Sequence, residues 1–588
     1  MGGADPQLPR RTTHHTQTPF GVAMHAMSQA NSSLLLPSLR AENARLLSQA
    51  HEFESALARL RGAAWEPPMP RRLSAADSKY EFTQERLLKI APKKQVLISF
   101  VNIVRIDFAR TWVHHVRELG MTNWLVGATD QRAFDALKGD GTECFDMKTN
   151  LPQGEWPWGS PSFKSLGPHK IELIYKTLKW GFEMVITDID ALVLREPFAF
   201  MARWPDAGFL TTTDHLSNTT NDGGLENHRG IHSAFNIGYM FFRKSAMPLV
   251  EEWRRVIREQ PKTRWDQGEF NRLARYQWKP HETKGLSDPR LFWSYKQVVI
   301  GGVLPLSLFC GGHNYFVGQF AQRMGWKPYS IHTTFQYGGA PGKRHRLREA
   351  GVWVDPPKYY EPQGGVLAMA PLDVPEALIK PPGGMDVRGH IKLINHQLEQ
   401  IRNGLALATA LGRKLVLPEV ICGYDKAWYA LSSGAGSKGV FGGAPGFAVP
   451  IYKCPLDHFL EPASLRPANH IREYSFLDNP RVPKAFMASS ASVAISTDGS
   501  HADELRKLQR EHAETRVLRV TNKPLPPIAA GGWLDSAEQR KFQTKFQGAS
   551  GSWCCAPGED AKHGQPRSSF FRLLNSPRAS GLRRSFIG

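Results

Sequence analysis

Met184-Val185-Ile186-Thr187-Asp188-Ile189-Asp190-Ala191-Leu192-Val193 decides how this chain is read. An apolar, β-branched run of strand length meets two aspartates one residue apart, turns apolar again, and breaks at Pro197. The pattern is that of a buried strand ending in a metal site. In extended backbone, residues i and i+2 project to the same side, so Asp188 and Asp190 offer their carboxylates to one hard cation. Such a cation can hold a diphosphate. An isolated D-x-D is more often two polar residues at a strand end, so the motif needs support from the rest of the chain.

Upstream, short apolar runs alternate with amphipathic helices from Lys94 onward. Val96 to Phe100, a helix over Phe108 to Leu119, and Trp124 to Gly127 leading to Asp130 give the βαβ rhythm of an α/β sheet. No G-x-G-x-x-G turn or G-x-x-x-x-G-K-[ST] loop occurs, which removes most support for a Rossmann dehydrogenase or a P-loop NTPase. A helix from Lys170 to Trp180 feeds the opening strand. Lys170 at its start is placed to reach an anionic donor, with a solvated surface lysine as the alternative.

Downstream come a strand over Ala207 to Thr211, a polar loop from Thr212 to Arg229, and a strand over Ala234 to Phe242 whose Gly238 admits close approach of a ligand or another backbone. A helix spans Ser245 to Arg258. Trp265-Asp266-Gln267 opens another, so Asp266 and Gln267 either face the reacting sugar or serve as first-turn helix residues. Val298 to Phe309 reads as strand. His332 completes an oxygen-and-imidazole site suited to manganese if the fold brings it to Asp188 and Asp190. Gly342 to Arg348 reads as a basic, turn-rich segment.

The expected organisation is a low-complexity N-terminus over 1–88, an α/β catalytic domain over 89–355, a proline-rich linker over 356–383, a smaller α/β domain over 384–525, and a basic disordered tail over 526–588. Leu39, Leu46, Phe53 and Leu60 recur every seven residues, giving a short coiled-coil stalk or a single amphipathic helix.

The 588 residues suffice for two or more cores, and 41% hydrophobic content fits a globular protein. The net charge of +20 favours anionic partners without choosing among them. No nucleic-acid-binding signature accompanies it, so nucleic acid is not an expected partner. The six cysteines show no C-x-x-C spacing, and Cys422 and Cys454 either pair in an oxidising lumen or stay as buried thiols. Asn31 and Asn218 head glycosylation sequons. No run of about twenty apolar residues and no secretory h-region is present, so a membrane anchor is not visible in this sequence and any secretory address is expected outside it or in an unconventional form.

The ordered blocks Gly159-Ser160 with Ser162-Phe163, Asp188-Ile189-Asp190, Phe235-Asn236-Ile237-Gly238, Asp266-Gln267 and Ile331-His332-Thr333-Thr334-Phe335-Gln336 resemble those of the plant and algal nucleotide-diphospho-sugar transferases of glycosyltransferase family 77. The likeness is greatest to the extensin hydroxyproline-arabinoside arabinosyltransferases. It continues through Asn403 to Pro418, Cys454 to His458 and Glu473 to Pro480, covering roughly residues 90 to 525. The resemblance implies a GT-A fold, a UDP-sugar donor (UDP-β-L-arabinofuranose in the most similar relatives), manganese or another divalent cation, retention of configuration, a hydroxyproline-rich glycoprotein acceptor and residence in the Golgi. Carried over residue by residue, Asp188, Asp190 and His332 are the metal ligands. Asp266 and Gln267 match a D-Q pair near the donor sugar and acceptor. The expected donor-binding residues are then Lys170, Asp188, Asp190, Asn236 and Gly238, and the expected catalytic ones Asp266 and Gln267. The alternatives are a transferase of another UDP-sugar and an inactive cell-wall-polymer binding protein on the same fold.

Overall fold

The computed structural model describes residues 75–149, 151, 154–156, 159–231, 233–260, 263–336, 338–385, 387–423, 451–462, 467–496, 500–526, 535–552 and 571–572. The heptad segment and the Asn31 sequon lie outside them. The described residues fall in one compact unit, Arg72–Gly588.

An eight-stranded sheet forms its first part. Along the chain its strands are β1 (Gln95–Val101), β2 (Trp124–Ala128), β3 (Cys144–Asp146), β4 (Glu183–Thr187), β6 (Phe209–Thr213), β7 (Phe235–Phe242), β8 (Phe292–Ser294) and β9 (Val299–Val303). Their spatial order is β3-β2-β1-β4-β7-β6-β9-β8. The first four run parallel, and β7 lies antiparallel between β4 and β6. Helices α1 (Ile106–Glu118), α2 (Gln131–Gly139) and α3 (Gly167–Lys179) make the crossovers, while α4 (Met247–Glu259) and α5 (Asp266–Ala274) follow β7. Both sheet faces are covered. Leu97, Val101 and Val185 enter one core with α1, and Val96, Ile98, Phe100, Met184 and Ile186 enter another with α3 and α4. That explains why these strands are apolar without alternation.

The opening stretch divides between two sheets. β4 stops at Thr187, the chain turns through Ile189 and Asp190, and β5 (Ala191–Val193) joins a small sheet with β10 (Phe309–Gly311) and β11 (Ser330–His332), ordered β10-β11-β5. The expected single strand over Val298 to Phe309 is likewise two strands, β9 in the large sheet and β10 in the small one. The small sheet brings His332 beside Ala191, one residue from Asp190.

The basic segment expected as turns is a helix, α6 (Gly339–Glu349). Its sequence carries little apolar periodicity, and tertiary ion pairs hold it instead: Arg344 with Asp107, Arg346 with Asp457, and Arg348 with Asp355.

A second sheet is built from five parallel strands, β12 (Val366–Met369), β13 (Lys414–Val416), β16 (Ile471–Arg472), β17 (Ser490–Val493) and β18 (Val517–Val520), in the order β16-β13-β12-β18-β17. The hairpin strands β14 (Ile421–Cys422) and β15 (Tyr452–Lys453) lie in sequence between β13 and β16, and α7 (Val387–Ala410) packs on the sheet with Ile394, Leu398, Ile401 and Leu405. Two expected boundaries are corrected. The proline-rich stretch 356–383 contains β12, the middle strand, because Val366 and Leu367 gain partners on both sides. The stretch 526–588 contains α8 (Ser536–Ala549), started by Asp535 accepting from the Ala537 and Glu538 N–H groups and anchored by buried Phe546 and Ala549.

Cys422 and Cys454 are joined as a disulfide with 5.2 Å between Cα atoms, while Cys144 and Cys310 are buried free thiols. Peptide mapping without reductant should recover residues 422 and 454 cross-linked. Replacing Cys454 by Ser should lower unfolding stability by about 2–4 kcal/mol, the usual effect of opening a loop of this size, read from denaturant melts.

Candidate functional site

The turn that ends β4 is pinned from both sides. The Asp188 N–H donates to the Gly238 carbonyl of β7 at 2.8 Å, the Ala191 N–H to the Asp188 carbonyl at 3.0 Å, and the Thr333 N–H to the Asp190 carbonyl at 3.2 Å. Asp188, Asp190 and His332 thereby bring one ligand atom each within 4.8 Å of one another. The turn, rather than an extended i, i+2 pair, sets the two carboxylates; leaving the large sheet requires the chain to bend at Ile189. His332 Nε2 lies 3.6 Å from Asp190 Oδ1. Two carboxylates and an imidazole form a donor set suited to a divalent cation. Gly238 leaves the room for it: a Cβ there would sit 2.1 Å from His332 Cε1.

Two lysines, one on each side, face these acids. Lys170, buried at 2% exposure, donates to Asp188 Oδ1 at 2.7 Å and to the Ile237 carbonyl at 2.8 Å, with its ammonium 5.5 Å from the Phe100 ring centre. Lys343 of α6 pairs with Asp190 Oδ2, which also accepts from Thr333 Oγ1 at 3.2 Å. Burial by itself would raise the Asp190 carboxyl, but Lys343 and His332 outweigh it and hold the group well below the usual carboxylate range. These neighbours therefore favour the anionic form of Asp190.

A third acid, Asp214, is tied to β7 and α5. Asn236 Nδ2 donates to Asp214 Oδ1 at 2.7 Å and Gln267 Nε2 to Asp214 Oδ2 at 3.0 Å. Asn236 Oδ1 in turn accepts from the Gly238 N–H at 2.8 Å, and Gln267 Oε1 accepts from the Ile237 N–H at 3.4 Å. Burial raises the Asp214 carboxyl, opposed by Asn236, His332 and Gln267. Asp266, the first residue of α5, packs against Gly167. Burial pushes its carboxyl up to about 6, against the opposing pull of Lys170.

The sequence agrees with this geometry. Residues 119–347 match the family model described as nucleotide-diphospho-sugar transferase. Arabinosyltransferase XEG113 of Arabidopsis thaliana is 32% identical over 573 residues, spanning 92% of this chain and 86% of that one. The chain belongs to the nucleotide-diphospho-sugar transferases of glycosyltransferase family 77. Beta-arabinofuranosyltransferase RAY1 of the same plant is 23% identical over 185 residues, 31% of this chain and 33% of that protein. The apo crystal structure of mouse xyloside xylosyltransferase 1 aligns with 41% of this chain and 98% of its own at 11% identity and a TM-score of 0.23.

In this family 77 transferase the structure brings together the eight residues expected at the site. Asp188, Asp190 and His332 cluster with Lys170. Asn236, Gly238 and Gln267 adjoin them through Asp214 and the β7 backbone, and Asp266 lies near Lys170. Two members escaped the sequence reading. Asp214 directly follows the β6 strand, the position where open α/β sheets present ligand-binding groups, and that signal was available. Lys343 sat in a segment taken for turns. The Asn218 side chain is buried and donates to the Thr220 carbonyl at 2.8 Å, so in the folded protein that sequon does not offer its nitrogen to solvent.

Gly238→Ala should push the His332 ring aside and weaken divalent-cation affinity by about tenfold or more, measured by titration calorimetry, with secondary structure retained. Unchanged affinity would remove His332 from the ligand set. A pH effect follows from Asp266. Its folded pKa is raised above the unfolded value, so its contribution to stability is present below pH ~4 and is lost as pH rises through about 6. The same ionisation should appear as a rise in kcat/KM through about pH 6 that Asp266→Asn removes.

Proposed function

We propose that the chain is a retaining glycosyltransferase that moves arabinofuranose from UDP-arabinofuranose onto hydroxyproline-linked arabinosides of extensin-like glycoproteins. The observation that carries this reading is the convergence of Asp188, Asp190 and His332 with Lys170 and Lys343 at the end of β4. Three ligands for a divalent cation flanked by two ammonium groups suit a nucleoside diphosphate, and the similarity to Arabinosyltransferase XEG113 over nearly the whole chain supports arabinose as the sugar. Residues 89–355 are the catalytic domain in this reading, and the second sheet is an accessory domain. A site with all its charged groups in place speaks against a binding protein that has lost its chemistry. Golgi residence goes with this acceptor. Among the described residues no helix is long and apolar enough to cross a membrane, so an anchor would lie elsewhere in the protein.

Asp188, Asp190 and His332 would hold manganese or another divalent cation, which supplies Lewis-acid stabilisation of the departing UDP. Lys343 contributes a second positive charge. Once the diphosphate is present it competes with Asp190 for this ammonium. Lys170 keeps Asp188 oriented through one hydrogen bond while its other anchors it to β7. As the sugar gains oxocarbenium character, the carboxylates of Asp214 and Asp266 offer negative charge in poorly solvated surroundings, where it interacts strongly. Retention then proceeds by attack of the acceptor hydroxyl from the leaving-group side or through a covalent glycosyl ester on one of these carboxylates. Gln267 and Asn236 hold Asp214 through both its oxygens, which fixes its orientation toward the site.

Asp190→Ala should abolish transfer and manganese-dependent UDP binding, both measured with radiolabelled donor. Full activity in that variant would overturn the metal assignment. A donor screen with hydroxyproline-rich arabinosylated peptides should select UDP-arabinofuranose over other UDP-sugars, and preference for a different sugar would replace the substrate named here.

A further inference from the structure

We infer that Asp457, in the second sheet's domain, is a positioning residue for donor binding: by clamping Arg346 it sets helix α6 so that Lys343 faces Asp190. The inference rests on the transferase reading above and assigns the second domain a part in it.

Helix α6 radiates charged side chains, and their partners lie on both sides of it. Lys343 reaches Asp190, and Arg344 reaches Asp107 of α1. One turn on from Lys343, Arg346 is wholly buried. Its Nε donates to Asp457 Oδ1 at 2.9 Å and Oδ2 at 3.1 Å, and its Nη2 lies 3.1 Å from His458 Nε2. The end of the helix is held as well. Glu349 Oε1 accepts from the Leu456 N–H at 2.9 Å, and Ser475 Oγ donates to the Glu349 carbonyl at 3.0 Å.

Asp457 itself is mounted rigidly. It sits in the short turn Leu456–His458, three residues after Cys454, which is bonded to Cys422 and whose N–H donates to the Val420 carbonyl at 2.7 Å. His458 Nδ1 lies 3.1 Å from the Tyr452 hydroxyl. With Nε2 accepting from Arg346, Nδ1 carries the proton and donates to that hydroxyl. Burial, with Arg346 beside it, holds the imidazole neutral.

A buried ion pair is weak evidence of stabilisation, because well-packed apolar residues usually serve as well. What this one adds is direction: the Arg346 Nε–H is shared between both Asp457 oxygens while Nη2 bonds the His458 imidazole, so two edges of one planar guanidinium are tied to one turn, which limits both rotation and translation of the helix. Residues 343 and 346 are neighbours along one helical face, so a displacement at Arg346 moves Lys343 with it.

The test is a double-mutant cycle in the full chain, read as UDP affinity with manganese by calorimetry, with thermal melts run on each variant. Asp457→Asn should weaken UDP about tenfold, Lys343→Ala should weaken it at least as much, and the double variant should match Lys343→Ala alone. Effects that multiply, or wild-type affinity in Asp457→Asn, overturn the inference. Should Asp457→Asn fail to fold, hydrogen exchange on the wild-type protein decides. UDP and manganese should protect the amides of 454–460 along with those of 339–349, and protection confined to 339–349 overturns the coupling. A wild-type chain that binds no UDP with any divalent cation refutes the transferase reading itself, a result distinct from both.

Discussion

Asp190 carries its negative charge into a place that solvent barely reaches, and much of the described structure follows from keeping it there. A lone buried carboxylate would take up a proton, since desolvation of such an ion costs several kcal/mol. Here Lys343 and His332 arrive from elements more than a hundred residues away, and together they outweigh that cost. His332 is delivered by the small sheet pairing β11 with β5, and Lys343 by a helix braced against the second domain. The site is therefore a product of tertiary packing, assembled around one acid.

The acids of the site are tuned apart by their neighbours. Asp188 pairs with Lys170, and Lys343 and His332 keep Asp190 ionised. Asp214 and Asp266, where burial outweighs the cationic neighbours, have raised carboxyl pKa values. Groups of the same type pushed in opposite directions by their surroundings would, on the proposed reading, let a single pocket bind a charged leaving group and still offer weakly solvated carboxylates to a cationic transition state.

The parts legible in the sequence were those with local periodicity. Strand β4 and the helix bearing Lys170 announce themselves through apolar spacing, and the absence of any other phosphate-binding turn strengthened the Asp188-Ile189-Asp190 reading. Helix α6 is the opposite case. Gly339 to Glu349 holds one large apolar residue, Leu347, and five basic ones, so its sequence resembles a solvated turn. Asp190, Asp107, Asp457 and Asp355 stabilise it as a helix, and all but Asp355 are far away along the chain. Strand β12 was hidden for a related reason. Prolines and glycines on both sides advertise a linker, while pairing with β13 and β18, formed by residues not yet reached, makes four apolar residues the centre of a sheet.

Gly238 gives the ligand cluster a sensitivity to how the protein folds. Its missing side chain is the space His332 occupies, and that space exists only while β7 pairs with β4 in the observed register, with Tyr239 opposite Thr187. A slip of one residue would bring Ile237 or Tyr239 to the imidazole and turn the opposite face of the strand toward it. On the proposed reading, affinity for a divalent cation would report that register: a chain whose central antiparallel strand has paired out of step has nowhere to put the His332 ring.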